Sequence, residues 1–451
     1  MSDFKSSRFS RLTSLSATVA KMGVGYALGK AQEVTQNLKN SKEEVENLAY
    51  KIKVAKELVK SMGELKGGLM KLGQMISITE DLILPPEISE LFKTLQKSAP
   101  AMSEDDLNHV FIKNFGKLPK DLFVEFDSIP FAAASIGQVH KARLATGETV
   151  AVKVQYPKIV KAIRNDMLNI KEFDRLLKVL IPGKPQIDNM LEELKNSLLA
   201  ECDYKQEAAS MDFFRKILND EFPESIFVPK VFHQFSTDEV LTSEFMIGDS
   251  FEETLNYTQE EKDELGELHY QSFLFCLFHH HILHTDPQTG NYLFQRGKLI
   301  VLDFGSTRKF DEEFVHWYAL LCHAVRHEDK KIFRKCVINL GINTENDAES
   351  EIEKSFRLVE EIYRPFLPIG KYPIQDLNPF RLVKDYVLSI KLEGRQAARE
   401  EFMMLDRANI GLFTKIKKWH SSVDWNLGRE KYQLASEQMA LKKLSSKPGT
   451  E

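Results

Sequence analysis

Apolar positions recur at helical spacing over residues 33–80, where Leu48, Ile52, Ala55, Leu58 and Val59 are interleaved with lysines and glutamates. Gly67-Gly68 weakens the pattern, Leu69, Met70, Leu72 and Met75 resume it, and Pro85-Pro86 ends it. A second helix is predicted from about Glu87 to Lys97, closed by Pro100. A third opens at Ser103-Glu104-Asp105-Asp106 and runs through Phe115. From Phe123 the period becomes that of strands. Val124 to Phe126, Ile136 to Leu144 with its Thr146-Gly147 turn, and Thr149 to Gln155 predict a hairpin-rich sheet. Helical patterning returns from Val160 to Ile181 and from Gln186 to Leu218. Phe227 to Phe235 and Glu239 to Met246 read as two more strands. After Gly248 the chain is mostly helical to Leu441, with short strands at Tyr292 to Phe294 and Leu299 to Leu302.

This order predicts an α+β protein in five parts: a leader (1–32), a helical extension (33–122), a small β-rich lobe (123–247), a larger helical lobe (248–444) and a polar, disordered tail (445–451). A cleft between two such lobes is a natural ligand site.

Composition narrows the class. The 451 residues are 43% hydrophobic and 28% charged, an ordinary globular balance that excludes wholesale disorder and collagen-like repeats. With 61 basic and 66 acidic residues the net charge is -5, which gives no whole-chain case for nucleic-acid binding and leaves any basic surface local; no nucleic-acid partner is expected. Cys202, Cys276, Cys322 and Cys336 form no C-x-x-C pair and suggest a reducing compartment. No run approaches ~18 apolar residues, so any membrane contact is expected to be peripheral. In the leader, Asp3 is the only acid against Lys5, Arg8, Arg11, Lys21 and Lys30. That pattern fits a mitochondrial transit peptide, a basic membrane-surface helix or a solvated leader.

Three signals then fall in a fixed order. Val150-Ala151-Val152-Lys153 lies on the third strand of the small lobe. His284-Thr285-Asp286-Pro287-Gln288-Thr289-Gly290-Asn291 has H-x-D-x-x-x-x-N spacing and is followed by a strand. Asp303-Phe304-Gly305 directly follows the strand Leu299 to Leu302. Each is weak alone; a strand lysine is usually solvated, and Asp286 with Asn291 could be a loop-capping pair. Together they form the phosphoryl-transfer signature. Such chemistry spreads negative charge over phosphate oxygens. Lys153 is therefore expected at the inner phosphates of ATP, Asn291 and Asp303 at Mg2+, and Asp286 as base or water-orienting group. Asp203 and Glu207 stand at i and i+4 on one predicted helix face, and Glu207 best fits the acid that pairs with Lys153. The alternative for either acid is a solvated face.

Two features depart from ordinary protein kinases. No G-x-G-x-x-G precedes the lysine strand; Phe131-Ala132-Ala133-Ala134-Ser135-Ile136-Gly137-Gln138 takes its place and is expected to form a stiffer phosphate loop. No A-P-E follows Asp303, which leaves little room to dock a peptide. His279-His280-His281, with His284, resembles a metal cluster. Consecutive residues diverge around a helix, however, so these are read as the end of a buried helix leading into the catalytic loop.

The chain resembles the UbiB (AarF) family of atypical kinases, linked to ubiquinone biosynthesis in bacteria and mitochondria. The likeness rests on Lys71-Leu72-Gly73-Gln74 (K-x-G-Q), Leu84-Pro85-Pro86-Glu87, the alanine loop continuing through Ile136-Gly137-Gln138-Val139-His140, and Glu201-x-Asp203 (E-x-D). It covers about Lys60 to Trp419. The resemblance implies a two-lobed protein-kinase-like fold in which Lys71 and Gln74 sit on a helix that folds over the cleft, with Lys71 against Glu201 and Asp203. It implies a nucleotide set of Ala132, Ala133, Ala134, Ser135, Lys153, Glu244 and Met246, with ATP and Mg2+ as cofactors. It further implies ATP hydrolysis or phosphotransfer to a small or lipid-related acceptor such as a quinone precursor, in a biosynthetic complex or a homodimer. The expected location is cytoplasmic and peripheral on an inner membrane, or the mitochondrial matrix if the leader is a transit peptide. A slow nucleotide-sensing scaffold and a protein Ser/Thr kinase are the alternatives.

Overall fold

A computed structural model of the chain describes residues 102–134, 136–157, 159–160, 163, 198–373 and 400–446. The helical patterns of residues 33–97, 164–181 and 186–197, the leader, Lys71, Gln74 and Ser135 lie outside the described residues. The chain divides into two compact units. The first includes Phe126–His140 and Lys153–Cys202; the second includes Lys141–Val152 and Asp203–Glu451.

Helix α1 (Glu104–Phe115) belongs to the first unit. It starts where Ser103 accepts the Asp106 amide and stops at Gly116 with φ of 68°, a left-handed conformation that costs glycine nothing. It buries Leu107, Val110 and Phe111, with the Phe111 ring 5.6 Å from that of Phe126. Strands β1 (Glu125–Phe126), β2 (Ala132–Ala134), β3 (Gly137–Arg143) and β4 (Thr149–Gln155) follow. Along β4, Val150, Val152 and Val154 are fully buried while Lys153 stands on the alternate face, as strand periodicity requires. The phosphate-loop stretch is not open loop: Ala132, Ala133 and Ala134 pair antiparallel with Val139, Gln138 and Gly137. A Cβ on Gly137 would overlap the Val154 carbonyl, its carbon only 2.9 Å away, so the hairpin lies directly on β4.

In the second unit, the helix predicted over Gln186 to Leu218 is broken at Cys202–Asp203. Helix α2 (Tyr204–Glu221) begins there with Asp203 as its N-cap, the carboxylate accepting the Gln206 amide at 2.9 Å. Asp203 therefore does not share a helix face with Glu207. The predicted strand Phe227 to Phe235 is also shorter: β5 (Ile226–Phe227) gives way to a 3-10 turn at His233–Phe235. Strand β6 is Val240–Glu244, and helix α3 (Gln259–His280) is the central helix. A capping box between Thr258 and Glu261 opens α3, and His281 in the left-handed region ends it. Its C-terminal half buries Leu274, Phe275, Cys276, Leu277 and Phe278.

Strands β7 (Ile282–His284), β8 (Tyr292–Gln295), β9 (Lys298–Val301) and β10 (Thr307–Lys309) frame the residues after α3. Strand order is β1-β3-β4-β6 with β2 on β3, then β5-β9-β8, and separately β7-β10. Helices α4 (Glu312–Arg326), α5 (Lys330–Asn339) and α6 (Glu349–Tyr363) lead to β11 (Lys371–Pro373). Helix α7 (Glu400–Trp419), β12 (Ser422–Asp424) and α8 (Leu434–Ser446) complete the unit. Trp419 is buried, donates to Thr254 Oγ1 at 2.7 Å and packs on Phe251 and Phe294. No described helix is long and apolar enough to cross a membrane.

Candidate active site

The loop from Asp286 to Asn291 is held on both sides by backbone pairing. On one side β7 runs antiparallel to β10, with His284 opposite Thr307. The Thr285 amide donates to the Ser306 carbonyl at 2.8 Å and its hydroxyl reaches the same oxygen at 3.1 Å. The residue before Asp286 is thereby tied to the segment just past Asp303. On the other side the β8-β9 hairpin sets Tyr292 opposite Val301, and Leu302 donates to the Asn291 carbonyl at 2.9 Å. Asn291 and Asp303 consequently lie on adjoining segments. Within the loop, Asn291 donates its side-chain amide to the Asp286 carbonyl at 3.3 Å and its backbone amide to Gln288 at 3.1 Å.

Asp286 is 6% exposed. Asp303 Oδ1 accepts the Gly305 amide at 3.0 Å, which fixes the carboxylate relative to the chain behind it. Phe304, fully buried, packs 4.9 Å from Phe214 of α2 and 5.7 Å from His284. The aromatic residue of the D-F-G triplet thus links the helix that carries Glu207 to the strand that precedes Asp286.

Behind the loop stands α7, to which the sequence patterns assign no role. Lys415 is 2% exposed and donates to the Pro287 carbonyl at 2.8 Å, with its Nζ 4.7 Å from the centre of the Tyr292 ring. Burial pushes its ammonium down to about 7, opposed by the charge of Asp286 and helped by Lys418. One turn earlier, Gly411 lies against Pro287: a Cβ there would overlap the ring and stand 3.2 Å from Pro287 Cα. His269, fully buried on α3, is held well below the usual imidazole range by desolvation, and then by Lys415 and His284. Burial likewise raises the Tyr292 phenol. A small cavity touches His269, His284, Pro287, Tyr292, Phe304 and Lys415. A signal for Lys415 existed. It falls on the stripe of Leu405, Ala408, Leu412 and Trp419, where a charge is out of place.

The remaining predicted residues divide between the units. Ala132, Ala133 and Ala134 lie on β2 and Lys153 on β4, in the first unit, where Glu201 is buried as well. Glu207 is buried in the first turn of α2, in the second unit. Glu244 ends β6, where its carboxylate accepts the Lys230 amide at 3.3 Å, and Met246 is half-buried just beyond. His279 and His280 close α3, their rings against Phe275.

As a donor set, Asp303 supplies a carboxylate and Asn291 an amide oxygen. Both are hard ligands, and few in number, which suits Mg2+ that keeps water and phosphate oxygens for its other positions.

The chain is similar to known proteins over much of its length. The description "ABC1 atypical kinase-like domain" matches residues 94–337. The Schizosaccharomyces pombe protein named atypical kinase COQ8, mitochondrial, is 31% identical over 68% of this chain and 50% of its own length. The Saccharomyces cerevisiae protein of the same name is 30% identical over 81% of this chain and 72% of its own. The chain thus spans half the length of the first of these relatives. The structure of Rv3197 with erythromycin, from Mycobacterium tuberculosis, superposes with a TM-score of 0.57 at 25% identity, covering 87% of this chain and 98% of that one. The fold is protein-kinase-like, and the chain belongs to the ABC1, or UbiB, family of atypical kinases.

Proposed function

We propose that the chain binds Mg-ATP and hydrolyses it or passes its terminal phosphate to a small or lipid-related acceptor, in support of ubiquinone or other isoprenoid-lipid metabolism. The observation that carries this reading is the joining of Asp286, Asn291 and Asp303 in one hydrogen-bonded frame, through Asn291 Nδ2 to Asp286 O and Leu302 N to Asn291 O. Mg2+, when bound, would offset charge developing on the phosphate oxygens. Asn291 and Asp303 hold it. Lys153 meets the inner phosphates as a point charge, with Glu207 as its acid partner, and Asp286 accepts the proton of the attacking hydroxyl or water. The alanine hairpin covers the phosphates with Ala132, Ala133, Ala134 and Ser135, and Glu244 and Met246 hold the base. The names of the yeast relatives support the kinase class and suggest a mitochondrial setting. The acceptor, a partner complex and peripheral contact through the basic leader belong to the same proposal.

The test is phosphate release by purified protein with Mg2+ and ATP, with and without anionic vesicles and phenolic quinone-precursor analogues. Turnover that requires Mg2+ and is lost in Asp286→Asn supports the reading. Nucleotide binding with no turnover under any of these conditions would instead favour a sensing scaffold.

A further inference from the structure

Pro287 follows the candidate base directly and is gripped from one helix. Gly411 and Lys415, four residues apart, share a face of α7. At Gly411 the missing side chain admits the Pro287 ring, and no other residue type leaves that space. At Lys415 the amine reaches the Pro287 carbonyl at 2.8 Å over the face of Tyr292. Tyr292 is the residue after Asn291, so the two contacts bracket the loop at both ends. A lysine on this stripe is expensive among Ala408, Leu412 and Trp419. Proline supplies no amide hydrogen and its φ is fixed, so its ring and carbonyl are the two handles by which a neighbour can hold it.

We propose that α7 is a clamp on the catalytic loop, in which Gly411 seats the Pro287 ring and Lys415 holds its carbonyl, so that Lys415 is a positioning residue for Asp286 and Asn291. The inference rests on the roles given to Asp286 and Asn291 under the proposed function, but its geometry does not. Either protonation state of the amine can donate to a carbonyl, so the clamp itself is indifferent to pH.

The experiment uses the full chain and reads both order and turnover. Lys415→Met keeps the side chain out to Cε and removes the donor. Gly411→Ala keeps the donor and pushes the ring away. In each variant, hydrogen exchange at the Asn291 amide, bonded to Gln288 in the wild type, is expected to quicken about tenfold, the loss of one hydrogen bond's worth of local stability. The central amides of α3 should be unaffected. Phosphate release should show kcat reduced about tenfold or more, with KM for ATP within about twofold, as for a reacting group displaced by less than an ångström. If Lys415→Met lacks a cooperative unfolding transition, Lys415→Gln replaces it, its amide ending one atom short of the carbonyl. Unchanged exchange at Asn291 in both variants overturns the clamp whatever happens to turnover. Quickened exchange in a protein whose wild type releases no phosphate upholds the clamp and removes the proposed function instead.

Discussion

The Asn291 carbonyl accepts the Leu302 amide at 2.9 Å, which places the end of the H-x-D-x-x-x-x-N segment beside the start of D-F-G. The segments that carry Asn291 and Asp303, from distant sequence motifs, thereby adjoin. Asp303→Asn removes the only full charge of that pair. It should abolish the Mg2+-dependent part of the thermal shift produced by ATP while leaving the apo melting temperature within a few degrees. An undiminished shift would remove Asp303 from the metal site.

Gly137 and Gly290 make opposite predictions. Gly137→Ala forces a Cβ into the Val154 carbonyl and should part the alanine hairpin from β4, lowering the melting temperature and weakening nucleotide binding. Gly290→Ala meets nothing within 4 Å and should change stability by less than about 1 kcal/mol. Thermal melts and nucleotide titrations of the two variants together check the packing; equal behaviour would refute it.

The depressed Lys415 amine makes stability depend on pH in a defined direction. Below about 7 it is charged in both folded and unfolded chains. Between about 7 and its ordinary value of 10.5 the unfolded chain binds the extra proton, so stability rises with pH across that window. Asp286 opposes the shift, while Lys418 adds to it. Melting temperatures at pH 6.5 and 9 should show a gain in the wild type that Lys415→Met lacks; parallel changes in both would disprove the assignment.

A second buried charge sits on α8. Arg429 grips Glu437 through two bonds of 2.9 and 2.6 Å, and His323 approaches the same carboxylate at 3.4 Å. Glu437 is 0% exposed. Glu437→Ala strands the guanidinium and should cost about 3–5 kcal/mol, read as the change in chemical denaturation midpoint multiplied by the slope. A cost under about 1 kcal/mol would show that solvent reaches the pair.

Lys71 and Gln74, of the K-x-G-Q element, lie outside the described residues. The family resemblance proposes that their helix covers the protein-docking face, with Lys71 on Glu201 and Asp203. Lys71→Ala should then keep nucleotide binding and raise autophosphorylation, measured by incorporation of labelled phosphate from ATP. Strong phosphorylation of casein-like proteins by the wild type would contradict occlusion.

What was legible in the sequence was local. Ser103 capping α1, the full extent of β4 and the end of α3 among the histidines each follow from signals within one or two turns of chain. So does the order of the three kinase motifs. The break before α2 was also written locally, as Asp203-x-x-Gln206 with its capping pattern, but continuous apolar spacing across it masked the signal. Strands β7 and β10 have three residues each, too few to show alternation, and exist because they pair with one another. Lys415 showed as a charge on an apolar stripe, but its role did not: its partner is a backbone carbonyl, and a carbonyl leaves no trace in a sequence.

The contact between Lys415 and Pro287 also spans 128 residues of chain. A ribosome adding ~5–20 residues per second needs roughly 6–26 s to travel from one to the other. From Gly305 onward in that interval the nascent chain already holds every kinase motif, yet the helix that braces Pro287 has not been made. Translation order thus delays completion of the catalytic loop until α7 has left the exit tunnel, and a product truncated before Gly411 carries the whole signature on an unsupported loop.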